Sequence, residues 1–461
     1  MKTKFTTLAI LAAVATTAIP AATYAQDEKE IDKGPIVRYG EADFFRPYDK
    51  RGLHVFETTK EDLNKPYEGR KISIGAGFAQ QFQALKNENP GALNNSGTEP
   101  NALYPLAAGF SLAQANLYID AQLAEGIRLH LANYMASKHH NEFWVKGGYL
   151  QIDKFPFKGK FWDDLSEWVT VKAGHMEINY GDAHFRRPDG GHTLYSPFME
   201  GNVMDAFATE IAGEVYVQKN GIFGMVGVSN GMIRGHVQEI TTSPNDITAR
   251  NPSIYLKGGV DKQVNEAIRL RLSGSWYHNT GTAGTGLTLY AGDRTGSNYT
   301  NVMEQWYTAD GAAKALTAMY ASGRFNPLYS GKLDAVMVNG FAKIQGFEFF
   351  GTAEFANGHT SAQTELRKTT QYAAEGIYRF GNHENLFAGL RYNIVNSEQV
   401  FGGNIEQIKV DRFAIGAGWF ITKNILMKGE YVTQSYTDFP DTDYRHNGKF
   451  DGISLQAVIA F

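Results

Sequence analysis

From Lys71 to Phe461, apolar and polar residues alternate with period 2 in one segment after another. Ile268-Arg269-Leu270-Arg271-Leu272-Ser273 puts Ile, Leu and Leu on one face and Arg, Arg and Ser on the other. Ile127-Arg128-Leu129-His130-Leu131 repeats the arrangement, and Ile453 to Phe461 ends the chain on a looser version of it. Side chains along a strand point alternately to opposite sides, so these are strands with two unlike faces. After residue 25 no apolar run reaches the roughly 18 residues that a membrane-spanning helix needs. Two all-β solutions remain: a large soluble protein with its apolar faces on a core, or a membrane barrel with those faces on lipid.

The connections separate the two. Tight polar turns occur at Ala124-Glu125-Gly126, Lys219-Asn220-Gly221, Asp261 to Glu266, Lys343 to Gly346, Gly381 to Asn385 and Thr422-Lys423-Asn424. Between them lie mostly longer stretches, near 85–104, 137–141, 178–205, 230–250, 278–333, 358–367, 397–407 and 437–448. Short turns alternating with long loops is the outer-membrane pattern, and a sandwich has no reason to sort its loops this way. The expected fold is an all-β, antiparallel transmembrane β-barrel of about sixteen strands (14–18), closed by the C-terminal strand. The second strand is expected near 105–120, and Ala312, Ala313, Ala315, Leu316, Ala318 and Met319 predict a helix over Asp310 to Arg324 inside the long fifth loop. Trp168, Tyr378, Phe380, Trp419 and Phe420 fall at one set of strand ends, where an interfacial girdle is expected.

The ends of the chain fit this reading. Met1 to Ala25 has the basic start, short apolar centre and small-residue end of a signal peptide, with cleavage expected before Gln26. Residues 26–70 carry 20 charged residues in 45 and form a charged extension, placed at the periplasmic end or partly in the lumen. Residues 71–461 are then the barrel. Phe461 ends the last strand; a terminal aromatic there resembles the signal read by the barrel assembly machinery. With no cysteine, thiolate metal sites, disulfides and lipoprotein anchoring are excluded. With 44 Lys and Arg against 48 Asp and Glu, nothing favours a nucleic-acid partner. Outer-membrane lipid is the expected partner, and no cofactor or metal is expected.

Three features with catalytic or metal-binding overtones stay unpersuasive. Gly227-Val228-Ser229-Asn230-Gly231 matches a nucleophile elbow, but it leaves a strand for a polar loop rather than a helix. Gly281 to Gly286 lacks the Lys-Ser/Thr of a phosphate loop. His139, His140, His175, His184 and His192 have no metal-ligand spacing.

With the apolar faces outward, the lumen lining follows. Its basic residues include Arg128, Lys146, Lys172, Lys257, Arg269, Arg271, Arg391, Arg412 and Lys428; its acids include Asp120, Glu210, Glu214, Glu348, Glu354, Glu375 and Glu430. The third long loop, Ile178 to Asp205, has the length and the glycines to fold inward and form a constriction, presenting Asp182, His184, Arg186, Arg187 and Asp189. Arg128, Lys146 and Lys172 would complete a basic ladder, and fixed cations at a pore ring favour anions. Opposed charges can equally form a salt-bridged plug. Sixteen strands nonetheless leave room for water.

Phe45-Arg46-Pro47-Tyr48-Asp49-Lys50-Arg51-Gly52-Leu53-His54-Val55-Phe56-Glu57 resembles the N-terminal element of relatives of the phosphate-selective porin O and P family. Phe78 to Leu85, and Lys172-Ala173-Gly174-His175 running into Asn179-Tyr180-Gly181-Asp182, are similar too. The resemblance implies an anion-preferring porin of about sixteen strands, monomeric or a homotrimer. The sequence thus points to passive diffusion of small hydrophilic solutes, anions such as phosphate among them. The alternatives are a barrel serving as a structural or partner subunit, which predicts a blocked lumen, and an outer-membrane hydrolase, which predicts a Ser–His pair.

Overall fold

The computed structural model describes the chain except residues 1–37, 43–44, 64–66, 91–100, 137–141, 234, 236, 238, 240–248, 283–285, 308–310 and 316–319. The signal-peptide expectation and His139-His140 therefore lie outside the described residues.

Sixteen strands form one closed antiparallel barrel: β1 (Lys71–Glu88), β2 (Gln114–Ala124), β3 (Ile127–Ala136), β4 (Glu142–Ile152), β5 (Val169–Glu177), β6 (Thr209–Lys219), β7 (Ile222–Ser229), β8 (Ser253–Asn265), β9 (Ile268–Asn279), β10 (Lys332–Ile344), β11 (Phe347–His359), β12 (Arg367–Phe380), β13 (Leu386–Phe401), β14 (Asn404–Thr422), β15 (Ile425–Thr437) and β16 (Lys449–Ala460). Each pairs with its sequence neighbour, and β16 closes on β1 through pairs such as Ile453 with Ala84. Two short pieces join the sheet: Arg38–Tyr39 runs parallel to Lys71–Ile72, and Gly109–Phe110 lies antiparallel to Gln83 and Phe82. Closure leaves the barrel no free edge.

The alternation sorts as lipid outside and polar groups inside. Leu272 is 62% exposed, whereas its neighbour Arg271 is 5% exposed. Val336, Val338, Phe349, Phe355, Leu390 and Leu455 face outward in the same way. At the short-turn end Phe347, Tyr378, Phe380 and Trp419 are exposed, and the rings of Phe347 and Tyr378 lie 4.5 Å apart. A closed barrel with an outward apolar band and an aromatic rim is an outer-membrane β-barrel.

Four local expectations are corrected. The second strand begins at Gln114, not 105, because 105–113 leaves the ladder except at Gly109–Phe110. No helix forms in the described parts of 310–324. Gly311 and Gly323 take φ of +83° and +76°, Tyr307 bridges Ala313, and Phe325 N donates to Val203 O (2.7 Å), so long-range anchors override helical propensity. The expected loop at 397–407 is a hairpin. Gly402 and Gly403, at φ +56° and +91°, supply the two left-handed residues of a two-residue turn, and β13 and β14 pair up to Phe401 and Asn404. Finally, one connection at the short-turn end is long: 153–168 carries a helix, Lys160–Ser166, beside the clustered rings of Phe155, Phe157 and Trp162.

The interior is packed. Three segments enter it: residues 45–63 from the short-turn end, and the loops 178–208 and 280–331 from the long-loop end. Their Ile178, Tyr180, Phe198, Met199, Met204, Tyr290, Tyr299 and Val302 form one buried cluster with inward residues of the wall such as Tyr255, Tyr277 and Met337.

Candidate functional site

The loop 178–205 folds into the barrel. Gly181, at φ +70°, lets it turn against the wall, where a Cβ would meet Met337 Sδ at 2.1 Å. Asp182 accepts from Arg271 Nε and Nη2, both at 2.7 Å, and lies 2.8 Å from Lys257. Burial alone would raise its carboxyl, but those two cations hold it well below the usual carboxylate range. His184 contacts Glu177 (2.5 Å) and Asn179 (3.0 Å). Arg186 lies between Glu375 (2.8 Å) and Glu348 (3.4 Å). Arg187 makes a forked pair with Asp205 (3.0 and 2.5 Å) and lies 3.8 Å from Asp293. Burial lowers both guanidinium groups, yet their carboxylates outweigh it and hold each above its ordinary value. Asp189 takes Lys146 and the hydroxyl of Tyr134 (2.7 Å). The structure thus brings all five expected loop residues into the lumen, each matched to a partner.

The wall cations mostly anchor chain rather than line open water. Arg128 pairs with Asp153 (2.5 Å) and donates to Leu63 O (2.8 Å). Arg269 pairs with Asp261 and donates to His54 O (both 2.8 Å). Arg271 joins Asp182 to Glu57 (2.7 Å). Arg391 donates to Glu200 O (2.6 Å), and Arg412 to Gly201 O (3.0 Å) and Gly323 O (2.5 Å). Lys428 holds the carbonyls of Thr193, Ser196 and Phe198. Lys172 is different: its ammonium lies over the rings of Tyr149 (5.3 Å) and Tyr216 (4.9 Å).

Sequence reasoning missed the N-terminal half of this network. Tyr48 donates to Asp120 (2.6 Å), Glu57 lies 2.8 Å from Lys257, and Lys60 donates to Asp153 O (2.7 Å) and Val169 O (2.8 Å). It also missed the fifth loop, where Arg324 meets Glu200 (3.2 Å), Tyr299 meets Glu430 (2.5 Å) and Tyr290 meets Glu354 (2.8 Å). The available signal was the surplus of bases among the inward-facing wall positions named above, nine against seven acids, which calls for carboxylates from elsewhere in the chain. Between the N-terminal segment, the loop 178–205 and the wall of β2–β6 remains a cavity of about 240 Å³.

Ser229 donates to Glu210 (2.5 Å) and accepts from Gly231 N (3.2 Å); no histidine is among its described partners. Among the described residues no group of three or more His, Asp or Glu is placed to hold a metal ion.

Two buried histidines make the N-terminal segment pH-sensitive. Burial pushes His54 down to about 3, although Glu348, 2.6 Å away, pulls the other way. Burial also lowers His192 to about 4, and its Nε2 donates to Tyr48 O at 2.8 Å. Glu57 keeps its charge throughout: burial raises it, but Lys257 and Arg271 hold it at about 2. The unfolded imidazoles, at about 6.5, take up protons first as pH falls. The packing of 45–63 is therefore fullest above about pH 6.5 and weakens toward about pH 3–4. Amide exchange across 45–63, corrected for intrinsic rates, should accelerate between about pH 7 and about pH 4, and His54→Gln should flatten that dependence.

No family profile and no curated protein matches the chain, so the resemblance read from its three short motifs has no match of that kind. Solved structures do resemble it. The anion-selective porin from Comamonas acidovorans is 10% identical, with TM-score 0.48, over 85% of this chain and 100% of that one. The outer membrane channel DcaP of Acinetobacter baumannii is 12% identical, with TM-score 0.47, over 86% and 99%. OmpT, an outer membrane protein of Vibrio cholerae, is 10% identical, with TM-score 0.47, over 86% and 99%. Likeness at this level assigns no activity, and the fold rests on the strand register itself.

Proposed function

We propose that the barrel is an outer-membrane porin for passive diffusion of small hydrophilic solutes, with a preference for small anions, phosphate-sized oxyanions among them. The observation that carries this reading is the cavity, lined by charged and aromatic side chains, beside an inward loop in a barrel of sixteen strands. A barrel of that circumference has room for an aqueous path. Planar-bilayer reconstitution tests it: discrete conductance is expected, and in a salt gradient the reversal potential should report anions.

The packed lumen favours a second reading, a barrel acting as a structural or partner subunit of a larger outer-membrane complex. Absence of conductance at every voltage tried would select it.

We also assign Phe461 to assembly. Its N–H donates to Ala76 O (3.0 Å), and Ala76 N donates to its carbonyl (2.8 Å), so it completes the closing seam while its ring stays exposed. Deleting Phe461 should lower the yield of heat-modifiable barrel in outer-membrane fractions. Unchanged yield would count against the assembly role.

A further inference from the structure

The cavity between the N-terminal segment and the inward loop is lined by charged groups, most of which are neutralised. Glu57 is held by Lys257 and Arg271, Glu177 by His184, Asp189 by Lys146, and Arg187 by Asp205. Two cations lining the same cavity have no carboxylate among the described residues. Arg46 spends its Nε on Gly52 O (2.8 Å) and lies 3.7 Å over the Tyr195 ring, leaving both terminal nitrogens. The Lys172 ammonium lies over the rings of Tyr149 and Tyr216, with no other partner among the described residues. The hydroxyl of Tyr149 likewise has no described hydrogen-bond partner, and it lines the same space.

Removing a cation from water without an anion is costly, and a bound oxyanion relieves that cost for two cations at once. Burial pushes Arg46 down to about 10, with the nearby Glu177 only partly offsetting it, as expected of a guanidinium that lacks a direct counter-ion. The rest of the surface is aromatic. Tyr48 and Tyr118 stack at 4.3 Å and 7°, and His130 lies 5.1 Å from Tyr149. Such walls favour a flat ring, which inorganic phosphate lacks. At about 240 Å³ the space suits a single-ring solute and falls below the roughly 300–1,000 Å³ of drug-sized sites.

We propose that this cavity binds a small aromatic carboxylate, its carboxylate between Arg46 and Lys172 and its ring against the tyrosine walls. The proposal deepens the porin reading and rests on it for the route by which the solute arrives.

The test is isothermal titration of the full-length protein in detergent with benzoate, benzamide and inorganic phosphate. Benzoate should bind saturably. Benzamide, which lacks the charge, and phosphate, which lacks the ring, should each bind at least about tenfold more weakly. Lys172→Met and Arg46→Met should each weaken benzoate by about tenfold or more. Should Arg46→Met fail to fold, Lys172→Met decides, since that side chain makes no hydrogen bond to the described chain. Benzoate that fails to bind, binds no tighter than benzamide or phosphate, or binds a folded Lys172→Met as well as the native protein overturns the proposal. Binding heat is read without a bilayer, so a barrel that binds benzoate but does not conduct overturns the porin reading alone.

Discussion

Arg187→Ala is expected to loosen the inward loop and turn the lumen toward cations. The Arg187 side chain is 3% exposed and holds two carboxylates from different parts of the chain, Asp205 at the end of its own loop and Asp293 in the fifth loop. Its guanidinium also lies 4.0 Å over the Phe207 ring. Removing it leaves Asp293 with no ion-pair partner among the described residues and Asp205 with only Arg324 at 4.0 Å, a loss on the order of 3–5 kcal/mol for a broken buried pair. That cost falls on the loop rather than on the barrel ladder. The reversal potential in a salt gradient should shift toward cations, and protease should cut within 178–205 where it does not cut the native protein. Asp205→Asn with Asp293→Asn in the same chain should restore much of the protection, because both charges are then gone. Arg186→Ala should act in the same direction through Glu375 and Glu348. If neither selectivity nor conductance moves in either variant, the loop is not the constriction.

The barrel itself was legible in the sequence because its signal is local. Alternation fixes strand faces, and turn residues fix where strands end, so the sixteen strands and the facing of residues such as Arg269 and Arg271 could be read directly. The hairpin at Gly402-Gly403 was missed as a hairpin, although two adjacent glycines are its proper turn chemistry. The partners of the inward residues were not legible. Arg391 donates to the carbonyl of Glu200, and Tyr48 meets Asp120, across separations that no periodicity encodes. The charged stretch 26–70 read only as an extension, at the periplasmic end or partly in the lumen, because Glu57 and Lys60 carry no sign of their buried partners. The described parts of 310–324 departed from the expected helix for the complementary reason: the helical propensity was real, but anchors at Phe325 and Ala313 set the path.

Deleting residues 45–63 is expected to raise single-channel conductance several-fold while leaving the barrel intact. The ladder does not use this segment. Its strand pairs run from β1 to β16 and close without it. What the segment contributes is obstruction and polar contacts inside: Tyr48 on Asp120, His54 on Glu348, Glu57 on Lys257 and Arg271, and Lys60 on two wall carbonyls. Its removal uncovers the cavity and leaves Lys257 and Arg271 to share Asp182, with Asp261 as the other carboxylate beside Arg271. The wider path should therefore also favour anions more strongly than the native protein does. Glu57→Ala is the milder variant, with the same sign of selectivity change and a smaller change in conductance. Bilayer recordings on both, alongside heat-modifiability to confirm the folded barrel, check the expectation. Unchanged conductance in a folded deletion variant would mean that ions do not pass this segment, and the solute path would have to be sought elsewhere along the wall.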